Sequence, residues 1–216
     1  MKLIAIPDLH SRYHLLERMA DELAAVDMVL LVGDITNGSS KDAQETITTL
    51  RQWNANILAI PGNMDTRHIV DYLDAEGIGI HAGHRIIDGI AFVGIGGALP
   101  FAGPFVYEED EFMTLFREVS TNLDKSLPQI LVCHQPPKNT QNDLLPGGVH
   151  VGSTAVREYI EMYQPMICFT GHIHEATGMD KIGKTQIVNP GPLARGGYAY
   201  AEVSSAGVEK LEIHAI

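Results

Sequence analysis

Five apolar runs of this chain end in side chains that can bind metals or move protons. Leu3–Ile6 leads to Asp8 and His10, Met28–Val32 to Gly33-Asp34, and Ile57–Ile60 to Gly62-Asn63. Ile130–Cys133 leads to His134, and Met166–Thr170 to Gly171-His172-Ile173-His174. Together they offer carboxylate and amide oxygens with imidazole nitrogens, a donor set suited to Mn²⁺ or Fe²⁺ and acceptable to Zn²⁺ or Ni²⁺. In an extended chain residues i and i+2 point to the same side, so Asp8 and His10 can act together. Each feature alone has an ordinary structural reading. Gly-Asp after a strand is a common turn, Gly62-Asn63 is turn chemistry, and a lone histidine at a strand end is often a satisfied structural residue. Five matching strand ends in one chain are more than turns account for.

Such side chains converge only if the strands lie side by side. The runs alternate with amphipathic stretches expected to be helical: Tyr13 to Ala25, Lys41 to Trp53 with Ser40 as N-cap, and Thr66 to Leu73. That βαβαβ rhythm predicts parallel strands with right-handed crossovers, and ligands bind beyond the carboxyl ends of such strands. In the middle, short strands are expected at Ile78–Ile80, His84–Ile87 and Ile90–Ile95, closer to a meander. A helix is expected from Glu108 to Asp124, the strand Gln129–Cys133, a Pro/Gly-rich loop from Gln135 to Gly152, and a helix from Ser153 to Tyr163. Thr185–Val188, Tyr198–Val203 and Val208–Ile213 read as an antiparallel tail. The whole of residues 1–216 is expected to form one domain of two sheets with helices outside.

Composition narrows the function. With 15 Lys+Arg against 27 Asp+Glu, the net charge is −12, which repels long nucleic acids and anionic membranes. No window approaches the ~20 apolar residues of a membrane span, and no secretory leader pattern stands at the N-terminus. Cys133 and Cys168 lie in apolar runs and read as buried, reduced thiols of a cytoplasmic protein. Gly94-Ile95-Gly96-Gly97-Ala98-Leu99 departs from a dinucleotide-binding loop at Leu99, and neither a P-loop nor a G-x-S-x-G elbow is present.

The ordered blocks Asp8-Leu9-His10, Gly33-Asp34-Ile35-Thr36-Asn37, Gly62-Asn63-Met64-Asp65, His134 and Gly171-His172-Ile173-His174 resemble those of the calcineurin-like metallophosphoesterase superfamily. Asn189-Pro190-Gly191 is similar to a stretch found in small prokaryotic members. The resemblance implies an α/β fold, a four-layer α-β-β-α sandwich of two mixed sheets, with a dinuclear metal site at the strand ends. It implies Asp8, His10 and His174 on one divalent ion, Asn63, His134 and His172 on the second, and Asp34 bridging both. Manganese is the expected metal, with Fe, Zn or Ni as alternatives. A hydroxide bridging the ions would attack phosphorus without a protein nucleophile.

The chain departs from the family pattern at Met64, where phosphomonoesterases usually carry a histidine near the leaving group. A thioether donates no proton, so either the substrate has a good leaving group or another residue supplies the proton, and the expected substrate is a small phosphodiester, nucleotide-like or otherwise. The proton donor expected in that histidine's place is His150, on the glycine-rich loop Gly147 to Gly152, whose other reading is a loop histidine bonded to backbone. Asn37 is a candidate to orient a ligand or a phosphate oxygen, or else a turn residue before Gly38. Arg12 and Arg195 are the cations nearest the motifs in sequence and are candidate phosphate contacts. The alternatives are a phosphomonoesterase acting on phosphoproteins, or a non-catalytic interaction scaffold on the same fold. Oligomeric state is left open.

Overall fold

A strand buried on both faces carries a continuous apolar run, and alternate residues face different layers. A computed structural model describes residues 1–216 and shows this along the first strand, β1 (Lys2–Ile6). Leu3 and Ala5 pack into one core, while Ile4 and Ile6 pack into another. The chain then runs through a 3-10 segment, Tyr13–Met19, into α1 (Ala20–Ala24), β2 (Met28–Val32), α2 (Ser40–Leu50), β3 (Ile57–Ile60) and α3 (Arg67–Ala75). Next come β4 (Gly83–Ile87), β5 (Ile90–Ile95), α4 (Glu109–Thr121), β6 (Gln129–Cys133), a small hairpin of β7 (Leu144–Leu145) and β8 (Val149–His150), and α5 (Thr154–Tyr163). The chain ends with β9 (Ile167–Phe169), β10 (Gly178–Ile182), β11 (Thr185–Asn189), β12 (Gly197–Ser204) and β13 (Gly207–Ala215).

Two mixed sheets result, ordered β13-β12-β1-β2-β3 and β10-β11-β9-β6-β5-β4. β1, β2 and β3 pair in parallel, as do β5, β6, β9 and β11. Between the sheets lie Leu3, Leu30, Val32, Leu58 and Ile60 from one and Phe92, Ile130, Val132 and Phe169 from the other. Outside the first sheet, Ile4, Ile6, Val29 and Leu31 meet Leu16, Leu23, Ile47, Leu50 and Leu73. Outside the second, Val93, Ile95 and Leu131 meet Phe112, Phe116, Val156 and Ile160. This is the expected four-layer α-β-β-α sandwich. No helix is long and apolar enough to cross a membrane. Both cysteines are free and buried, and burial raises both thiol pKa values.

Several local expectations are corrected. The N-cap of α2 is Ser39, not Ser40: its Oγ accepts from Asp42 N–H at 3.2 Å, because only Ser39 places Asp42 at the third helical position. Tyr13 to Ala25 begins as a 3-10 helix and turns α only over its last residues. Ile78–Ile80 is not a strand: Gly79 makes a single bridge to Ala59. Thr185–Val188 belongs not to the antiparallel tail of the first sheet but to the second, parallel to β9 and antiparallel to β10. The loop from Gln135 to Gly152 contains the β7–β8 hairpin. The Asp88-Gly89 turn joining β4 to β5 has both residues at positive φ, the handedness that suits a tight hairpin.

Candidate metal centre

The five motif segments meet at one end of the sandwich. Asp8 Oδ1 lies 3.3 Å from His174 Nε2 and 4.0 Å from both His10 Nε2 and His134 Nε2. Asp34 directs Oδ2 to His10 Nε2 at 3.7 Å and Oδ1 to His134 Nε2 at 3.6 Å. Two compact donor groups result, Asp8-His10-His174 and Asp8-Asp34-His134. The first matches the expected ligands of one ion. In the second, Asp8 stands beside Asp34 and His134. Asn63 joins that group, its Oδ1 3.1 Å from His134 Nε2. His172 stands beside the groups but outside both, its ring 5.3 Å from that of His134.

The hydrogen bonds behind these atoms show what they are prepared to hold. His134 Nδ1 donates to Val32 O at 2.8 Å, so its Nε2 carries the lone pair in the neutral ring. Asn63 Nδ2 donates to Ala102 O, which turns its Oδ1 toward that lone pair. His10 Nδ1 bonds Asn37 Oδ1 at 2.8 Å, leaving His10 Nε2 only 3.4 Å from His174 Nε2. The Nε2 atoms of His134 and His10 thus face oxygen and nitrogen acceptors, an arrangement that a cation among them satisfies. In metal-free protein that cation is a proton. Burial alone would lower the His134 pKa, but Asp34 and Asp8 override it and raise it to about 9. Metal binding displaces such protons. Burial also works against ionised Asp34, yet His134 and the Met64 N–H hold its pKa below the usual range. His172 is pulled to about 4 by burial and by His134, which leaves it a neutral imidazole. The Asp8 hydrogen bond raises His174. The donor set therefore fits divalent metal ions.

The backbone is shaped around the site. Asp8, His10, Asp34 and His172 all have φ between 48° and 64°. Non-glycine residues seldom occupy that region, and each instance costs on the order of 1–3 kcal/mol. Gly62 has no room for a side chain, since a Cβ there would lie 2.1 Å from Asp34 Oδ1. Asp65, whose role the sequence motifs left unread, ties two strand ends together. Its buried carboxylate accepts from Ile35 N, Thr36 N, Thr36 Oγ1 and Gly62 N. Burial and the charge of Asp34 raise its pKa to about 6. The only signal for Asp65 was its place in the third motif.

The remaining predicted residues separate. Asn37 bonds His10 through both ends of its amide and so orients a candidate ligand, with Nδ2 donating to His10 O at 3.4 Å. Arg195 Nη1 donates to His174 O at 3.1 Å. Arg12 is exposed on the turn after His10. The side chain of His150 bonds a carboxylate rather than backbone: Nδ1 lies 2.7 Å from Asp143 Oδ1. Asp143 is fully buried and also accepts from Asn139, Thr140 and Gly152 N–H groups. Sequence reading missed both Asp143 and Gln135. Gln135 Oε1 accepts from Leu99 N–H and its Nε2 donates to Val151 O.

Known proteins resemble the chain in sequence and in fold. It is 37% identical over 199 residues to an uncharacterized protein of Methanocaldococcus jannaschii, covering 89% of this chain and 88% of that one. A protein of Thermus thermophilus, TT1561, has a similar structure, with TM-score 0.74 at 18% identity over 99% of this chain and 98% of that one. A novel archaeal phosphodiesterase superposes with TM-score 0.60 at 14% identity over 100% of both chains. The family model of the calcineurin-like phosphoesterase superfamily domain matches residues 1–206. With that match, that fold and side chains able to hold metal at the strand ends, the chain belongs to the calcineurin-like phosphoesterase superfamily, a family of divalent-metal phosphoesterases.

Proposed function

We propose that this chain hydrolyses small phosphodiesters with two divalent ions. Asp8, His10 and His174 would hold one, Asn63, His134 and His172 the other, and Asp34, facing both sides, would be shared. The observation that carries this reading is the set of carboxylate, amide and imidazole donors converging around Asp8 and Asp34, which positive charge at its centre would satisfy. Bound divalent ions supply Lewis acidity toward phosphoryl oxygens and lower the pKa of water. They also bring positive charge to one pocket of a chain whose net charge is −12.

The chain's own residues do the rest. Asn37 and Val32 O fix the rings of His10 and His134. The peptide N–H of Met64 holds Asp34 Oδ1 at 2.7 Å. Met64 itself can donate no proton to a leaving group. His150, backed by Asp143 in an Asp–His pair, is the group that would protonate the leaving alkoxide from its free Nε2. Met64, where the family's phosphomonoesterases usually carry a histidine, is what favours a diester over a phosphomonoester. The net charge of −12 favours small substrates over nucleic-acid polymers.

The test is a comparison of kcat/KM for bis-p-nitrophenyl phosphate and p-nitrophenyl phosphate after loading with Mn²⁺, with metal analysis of the purified protein. The diester is expected to be the better substrate. A reversed ratio would favour the monoesterase, and inactivity toward both with Mn²⁺, Fe²⁺, Zn²⁺ or Ni²⁺ would sink the enzymatic reading.

A further inference from the structure

Large exposed apolar side chains are unevenly distributed over this molecule. Phe101, Leu144, Val149 and Met179 lie on segments tied to the ligand-bearing loops, whereas Ile86 and Met162 lie on β4 and α5, away from them. Gln135, next to His134, bonds both Leu99 and Val151, so the Phe101 loop and the β7–β8 hairpin stand on either side of one side chain. Asn142 Nδ2 donates to Ala176 O and Gly178 O, joining that hairpin to the segment after His174. These exposed apolar side chains therefore stand on segments bonded to the loops that carry the candidate ligands.

Phe101 is the most exposed of these, at 93%. Its loop is nevertheless firmly built. A bridge between Ala98 and Val106 closes the base, and Tyr107 N–H donates to Ala98 O. Phe105 is buried against the rings of His81 and Tyr107, at 5.2 and 5.3 Å. Ala102 O accepts from Asn63 Nδ2, and Phe105 N–H donates to Asn63 O. Gly103, at φ 85°, approaches so closely that a Cβ would lie 2.1 Å from Asn63 O. The loop thus fixes the backbone of an exposed phenylalanine two residues from the glycine that packs on Asn63, a metal-ligand candidate. A ring held in water at that place has no role in the core.

We propose that Phe101 is a platform on which a planar ring of the substrate stacks, so that the site takes phosphate esters bearing an aromatic group such as a nucleobase. This rests on the phosphodiesterase reading above and names its substrate class. Stacking of a base on an aromatic side chain is worth about tenfold or more in affinity and tolerates any base, because every base has a π-face.

The experiment is calorimetric titration of the Mn²⁺-loaded full chain with adenosine 5′-monophosphate, glycerol phosphate and inorganic phosphate. Adenosine monophosphate is expected to bind more tightly than glycerol phosphate. Phe101→Ala should weaken the nucleotide about tenfold and leave the other two within about twofold, while Phe101→Trp should keep nucleotide binding. Equal affinities for the nucleotide and glycerol phosphate, or a nucleotide affinity unmoved by Phe101→Ala, would overturn the proposal. So would sedimentation showing that Phe101→Ala only dissociates a self-associated form. Failure of all three phosphates to bind would instead remove the phosphoesterase reading on which the proposal stands.

Discussion

The same residue type takes different protonation states within a few ångströms at this site. His134, facing Asp34 and Asp8, is raised to about 9, whereas His172, buried beside His134, is lowered to about 4. One ring holds a proton that a bound metal would displace, and the other is neutral without one. His150 is different, since its carboxylate partner Asp143 lies outside the metal cluster. As the proton donor, it should matter in proportion to how poor the leaving group is. His150→Gln is expected to slow hydrolysis of an alkyl diester by about 10²-fold or more and to change bis-p-nitrophenyl phosphate turnover only slightly, because p-nitrophenolate departs unprotonated. Equal losses across a leaving-group series would show that His150 does not act as the acid. Met64 was legible in the sequence as the missing donor. The pairing of His150 with Asp143 was not, because seven residues and a hairpin turn separate them.

Among the elements, the strand ends are held to one another as well as to the site. Asp65, after β3, accepts hydrogen bonds from residues after β2 and from Gly62. Asp65→Asn places an amide N–H₂ against donors and should destabilise the protein by about 2–3 kcal/mol. It should also weaken metal binding by about 10–100-fold, as losses of supporting groups do. Urea unfolding and metal titration of the variant measure the two effects. Unchanged metal affinity would mean that Asp65 supports the fold alone. Most elements were legible because β1, β2, β3 and β6 are unbroken apolar runs between two layers. β10 was overlooked because Gly178-Met179-Asp180-Lys181-Ile182 is a polar edge strand, recognisable only from its pairing with β11. Ile78–Ile80 showed the opposite error, three residues whose glycine packs on Asp74 and never extends a ladder.

Across the whole molecule, one partly buried histidine outside the motifs gives stability a pH dependence. His81 Nδ1 accepts from Gly96 N–H at 2.9 Å and Nε2 meets Tyr107 Oη at 3.1 Å, so the packed form is neutral. Burial first, and then the charge of Arg67, lower its pKa to about 4. A group lowered in the folded state binds its proton more readily when unfolded, so its contribution is complete above about 6.5 and is lost as pH falls toward 4. That is about 3 kcal/mol at the limit. Thermal unfolding of metal-free wild type and His81→Asn, followed from pH 7 to 4, should show the wild type losing more stability. Parallel curves would remove His81 as the source. His81 packs on Phe105, so this acid-sensitive contact lies under the loop that carries Phe101.

The sequence by itself determined the family, the two-sheet architecture and the identity of the seven candidate ligands. Apolar runs and their polar ends are local features, and their order survives in the chain. Only the tertiary structure decided which oxygen of Asp34 faces which histidine, and that Asn37 serves His10 rather than standing free. It also decided that Asp65 and Gln135 bind the loops together and that an exposed phenylalanine stands on the loop packed against Asn63. Those are contacts between strand ends distant in the chain, set by the packing of two sheets, and no spacing along one segment encodes them.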